Sequence, residues 1–127
     1  MLLAMSQGNN GSMCTMHADS TKSVFPKLAA YVAMADTRLP VETVNLMIAT
    51  AVHFVVYIHQ TRFGRHVASI REVVDADGAR IVSNEVFAPG RDGWAVPAYS
   101  LRDATIELLE QHGLDPDVLE RERDWSR

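Results

Sequence analysis

Only one cysteine, Cys14, stands in the chain, which rules out an intrachain disulfide and any cysteine-rich zinc site. That usage fits a reducing, cytoplasmic setting. Long apolar runs are missing as well: the longest, residues 49–58, is interrupted by His53, whereas a membrane helix needs about 20 apolar residues. The opening stretch is apolar only over residues 1–5 and has neither a basic leader nor a cleavage site, so it does not read as a signal peptide. It reads instead as the last turns of a helix. A basic excess is also lacking. The net charge is -4 and the arginines are scattered without forming a stripe, so there is no electrostatic footprint for nucleic acid. No GxGxxG, no GxxxxGK followed by Ser or Thr, and no serine nucleophile elbow occurs.

What is present suffices for one packed domain: 127 residues, 47% hydrophobic and 22% charged. Residues 1–7 read as helix, stopped at Gly8-Asn9-Asn10-Gly11, where glycine and asparagine tolerate positive φ. Residues 12–16 suit a short buried strand that ends at His17. Asp19, Ser20 or Ser23 can cap the next helix, whose apolar residues Val24, Leu28, Val32 and Ala35 recur at helical spacing. With Ser23 as cap, Pro26 falls in the first turn at little cost; with Ser20, a kink is expected. Pro40 reads as the first residue of a second helix, carrying Val44, Ile48 and Ala51 on one face and ending near His53.

Residues 54–58, 66–74 and 79–87 are rich in β-branched and aromatic residues, separated by "RFGR" and "DADG", and predict an antiparallel meander. In the third strand Ile81, Ser83, Glu85 and Phe87 alternate with Arg80, Val82, Asn84 and Val86, so neither face is cleanly apolar. One face is open to another subunit or domain. Residues 88–99, with two prolines and two glycines, read as a linker. Ser100 and Asp103 form a capping box for a helix through His112, closed by Gly113. A charged last helix spans residues 116–123.

His17 is the leading chemical candidate, because ligands of α/β proteins bind at the carboxyl ends of strands. An imidazole there can donate to a phosphate oxygen or orient water, with Asp19 or Ser20 holding its other nitrogen. His53, His59 and His66 raise a metal reading, but no carboxylate or cysteine stands at ligand spacing and the turn directs His66 away, so no metal site is expected. Arg62 and Arg65 can receive a phosphate or carboxylate, although solvated turn arginines are the commoner outcome. Met1, Met5, Met13 and Met16 read as core filling, and Cys14 beside them as buried.

The stretch "GNNGSMCTMHADS", residues 8–20, resembles the His box of the type II/IV secretion ATPases, in particular the Flp/Tad pilus motor branch. Gly8, Gly11, Ser12, Met13, Thr15, His17, Ala18 and Ser20 fit that pattern. The similarity extends through "MLLAM", "LAAYVAMA", "LPVETVNLMIATAVHFVVYIHQTR" and "GRHVASIREVVDADGARIVSNEVF". Residues 1–87 are then the C-terminal part of a RecA-like P-loop ATPase domain: an α/β core with a short His-box strand, two helices and the meander. Residues 88–99 are a linker, and residues 100–127 a helical extension.

The resemblance implies a hexameric ring, on the cytoplasmic face of the cell membrane and against an inner-membrane platform protein, that uses ATP and Mg to drive pilus assembly or secretion. His17 would be catalytic near the γ-phosphate, with Asp19 and Ser20 beside it in the nucleotide-binding loop. Asp19 replaces the family's usual asparagine, which keeps a cap but adds negative charge. Walker A, the Walker B acids and the catalytic glutamate are not in this chain, so it is not expected to bind ATP tightly or hydrolyse it alone. Two alternatives stand beside this reading. One is a catalytically silent interaction module of a secretion or pilus system, using the hairpin and residues 100–123. The other is an unrelated α/β enzyme with His17 as general base.

Overall fold

The computed structural model describes residues 11–35 and 38–121; the expected helix over residues 1–7 and the end of the last helix lie outside them. Helix α1, Val24–Met34, begins after Ser23, and Pro26 occupies its first turn. No side chain caps it. Instead the serines interlock. Ser20 Oγ accepts the Ser23 N–H at 3.1 Å, while Ser23 Oγ accepts from the Asp19 and Ser20 N–H groups and donates to the Ser20 carbonyl. Those contacts use both lone pairs and the proton of one hydroxyl, a full set for serine. Helix α2, Val41–Ala51, has Pro40 just outside it as N-cap, one residue off the expected start, and turns Val44, Asn45, Ile48 and Ala51 inward.

Strands β1 (Phe54–Thr61), β2 (Gly64–Asp77), β3 (Arg80–Pro89) and β4 (Ala95–Pro97) form one sheet in that order, every pair antiparallel. The expected meander is present. Gly64 and Gly78, at φ 120° and 53°, occupy turn conformations that residues with a Cβ rarely adopt. The fourth strand lies where a linker was expected: Phe87, Ala88 and Pro89 pair with Pro97, Val96 and Ala95. Both prolines sit at the sheet margin, where a missing N–H is tolerated.

The expected strand over residues 12–16 does not form. Met13 is 96% exposed and Cys14 is exposed too, which corrects their reading as buried. A strand needs a partner for its N–H and C=O groups, and among the described residues this segment pairs with no strand. Met16, by contrast, does pack against the core.

That core lies between α1, α2 and one face of the sheet: Val24, Phe25, Leu28, Val44, Ile48, Ala51 and Val73, flanked by Val55 and Ile81. Asn45 Nδ2 donates to the Gly78 carbonyl at 3.0 Å, tying α2 to the β2–β3 turn. Side chains alternate along a strand, so Glu72, next to Val73, points to the opposite face. There it receives Arg102 Nε at 3.2 Å and the hydroxyl of Thr105. These residues start helix α3, Asp103–Gln111. Helix α3 starts later than expected, with Arg102 and not Ser100 as N-cap; the Arg102 guanidinium, which has no acceptor to offer the first turn, donates to Glu72 and to the carbonyls of Val73 and Val74. Gly113, at φ 95°, ends the helix as expected, its N–H donating to the Glu110 carbonyl. Helix α4, Pro116–Arg121, follows.

Candidate functional site

The loop carrying His17 is held onto the sheet by the residue just beyond Ser20. Thr21 is 1% exposed. Its Oγ1 accepts Arg71 Nε at 3.1 Å and lies 3.2 Å from Ser69 Oγ. Ser69 in turn donates to Glu85 Oε1 at 2.6 Å, and Arg71 completes the set with an ion pair to Glu85 Oε2 at 3.3 Å and a bond to Ser83 Oγ. Ser69 and Arg71 come from β2, Ser83 and Glu85 from β3, and the antiparallel register sets Arg71 opposite Glu85. A fully partnered polar cluster of this kind fixes its members in one arrangement.

His17 stands above this anchor, exposed, with its backbone carbonyl accepting Lys27 Nζ at 3.0 Å. Among the described residues its imidazole makes no hydrogen bond, so neither Asp19 nor Ser20 holds its second nitrogen as expected. The hydroxyl of Ser20 is occupied by the Ser23 N–H, and Asp19 is exposed. His17, Asp19 and Ser20 thus share one loop, with Lys27 at its edge, but the loop has no enclosed pocket of its own among the main clefts. An exposed imidazole, with the Lys27 ammonium at the carbonyl of the same residue, can meet an anion supplied from outside this chain.

The other histidines fall differently. Residue His59 pairs with His66 across β1 and β2, their rings 5.8 Å apart, so the expectation that the turn carries His66 away is overturned. The tight turn brings this about: only Arg62 and Phe63 separate the strands, so Thr61 stands opposite Gly64 and, two pairs on, His59 opposite His66. His53 is exposed. No group of three or more metal-ligating side chains exists among the described residues. Arg62 lies 4.6 Å over the ring of Phe63, and Arg65 Nε donates to Gln60 Oε1 at 3.1 Å.

Sequence reasoning missed Thr21, Ser69, Arg71 and Glu85. A signal was there: Ser83 and Glu85 interrupt the apolar alternation of β3, and that face serves contacts within the chain.

The described residues form a mixed α/β unit in which two helices cover one face of a four-stranded antiparallel sheet. No helix among them is long and apolar enough to cross a membrane. No protein-family model matches the chain, and no curated protein matches it.

Proposed function

We propose that this chain is the C-terminal part of a RecA-like traffic ATPase of the type II/IV secretion class, Flp/Tad branch. On this reading it presents His17 to the γ-phosphate of an ATP held by P-loop residues outside the chain. The observation that carries the reading is the anchored loop: Thr21 is buried on Arg71 and Ser69 while His17, four residues earlier, is exposed and its imidazole has no hydrogen bond among the described residues. An exposed imidazole meets water in the isolated chain and stays available to a group supplied from outside it.

The outer edge of β1, which no strand among the described residues pairs, supports the same reading. Residues 54–61 contain no Lys, Arg, Asp, Glu or Pro, and Val56 and Ile58 are half exposed. Natural edge strands are normally protected by charge, proline or a cover. A seam at which further strands complete a larger sheet removes the need for such protection. In the complete protein ATP and Mg would be held chiefly by the P-loop. The assembly would be a hexamer on the cytoplasmic face of the membrane, against a platform protein. There His17 would orient water or stabilise charge developing on the phosphate.

The second reading, a catalytically silent interaction module, draws on the same exposed edge. Isothermal titration of ATP-Mg against this chain, alongside ATP hydrolysis by the chain together with a P-loop-bearing partner, separates the two. The ATPase reading expects no tight binding by the chain alone and His17-dependent turnover in the assembly. Tight binding by the chain alone contradicts it. Turnover indifferent to His17 favours the silent module.

A further inference from the structure

Away from the His17 loop, a cleft of about 350 Å³ lies between the β1–β2 turn and the loop joining β3 to β4. Arg62, Phe63, Arg65, His66, Asp92 and Trp94 line it. Its floor is a fixed aromatic plate. One face of the Trp94 indole rests on the imidazole of buried His66, centroids 4.8 Å apart and planes 22° from parallel, yet Trp94 remains 58% exposed. The imidazole is itself pinned: Nε2 donates to the Gly93 carbonyl at 3.1 Å, and its ring meets that of His59, which lies against Tyr57. The outer face of the indole therefore stands open and preorganised.

The opposite rim is cationic. Arg62 is stacked over Phe63, which is 85% exposed, and Arg65 is oriented through its Nε bond to Gln60, leaving its terminal amino groups available. Asp92, the one carboxylate of the lining, is engaged by the Trp94 backbone N–H at 3.1 Å. Two guanidinium groups facing one committed carboxylate make a local positive site on a chain whose net charge is -4.

From this juxtaposition we infer that the cleft binds a small planar aromatic anion. The ring stacks on Trp94, and the phosphate or carboxylate is received by Arg62 and Arg65. Planar guanidinium forks suit such groups, an open indole suits a flat ring, and the volume lies at the lower end of small-molecule sites. The inference shares no residue with the His17 loop and stands or falls independently of the ATPase reading.

The test is a titration of the folded chain with phenyl phosphate, followed by backbone amide shifts. Inorganic phosphate and benzyl alcohol supply the two halves of the ligand separately, and benzoate and adenosine monophosphate the alternative sources. Phenyl phosphate is expected to shift residues 61–66 and 92–94, with each half binding at least about tenfold more weakly. Arg65→Gln, at an exposed position that leaves packing untouched, is expected to weaken binding about tenfold. Trp94→Leu gives a comparable loss. A tighter response to benzoate or to the nucleotide supports the site and names its source. Shifts absent up to about 10 mM, inorganic phosphate binding as well as phenyl phosphate, or an Arg65→Gln chain that binds unchanged overturns the inference.

Discussion

Replacing Arg102 by methionine tests how the C-terminal helix is tied to the sheet. Glu72 is 1% exposed, and its carboxylate accepts from Arg102 Nε at 3.2 Å, from the Arg102 backbone N–H at 3.4 Å and from the Thr105 hydroxyl. Breaking a buried ion pair from one side costs about 3–5 kcal/mol, because the surviving charge is left in a poor solvent. Two features lower that figure. The Arg102 side chain keeps 41% of its surface in water, so solvent already screens part of the attraction. The backbone N–H and Thr105 also remain to serve the carboxylate after the substitution. Against this, the guanidinium also satisfies the carbonyls of Val73 and Val74, and those bonds go with it. The net expectation is a loss of about 2–3 kcal/mol in urea unfolding followed by circular dichroism. Removing both charges with Glu72→Leu and Arg102→Met leaves no orphan ion, although the Thr105 hydroxyl and the Val73 and Val74 carbonyls still lose a partner, so the double variant is expected to lose clearly less than the two single losses added together. An Arg102→Met cost below about 0.5 kcal/mol, or single losses that simply add in the double variant, refutes the reasoning.

Three further outcomes are expected. Ile48 is fully buried at the centre of the core, and Ile48→Ala is expected to cost about 2–5 kcal/mol in the same unfolding assay; a loss under about 1 kcal/mol contradicts its placement. Thr21→Val keeps the shape but removes the oxygen shared by Arg71 and Ser69, so a loss of about 1–3 kcal/mol is expected. Hydrogen exchange should quicken over residues 17–23, and unchanged exchange there contradicts the anchoring role. Ile58→Lys places a charge on the open edge of β1 and is expected to lower concentration-dependent self-association in analytical ultracentrifugation without lowering stability.

The parts of the fold legible in the sequence were those set by local chemistry. Glycines at positions 64, 78 and 113 adopt the positive φ that their turns require, and Pro26 is tolerated because Ser23 marks the helix boundary. What escaped depends on partners distant in the chain. Strand β4 is three residues long and exists through its pairing with β3. Residues 12–16 have strand composition but, among the described residues, no strand beside them. His59 and His66 meet because the turn is only two residues long, with Thr61 opposite Gly64, where the sequence reads as a four-residue turn over residues 62–65. The N-cap at Arg102 likewise carries a bond to Glu72, 30 residues earlier, a contact that no local capping pattern encodes. For the candidate site, His17 was visible through its place after a small-residue turn. Thr21, Arg71 and Glu85 became visible once β2 and β3 were in register.

The central claim is that His17 acts on a phosphate held by another part of the assembly. Its most direct test measures ATP turnover and ATP affinity together for the parent and His17→Ala, in the assembly that includes the P-loop residues. The expected result is a fall in turnover of about 100-fold with affinity within about twofold, as for a group that acts mainly in the transition state. Equal losses of rate and affinity, or a rate unchanged by the substitution, contradict it.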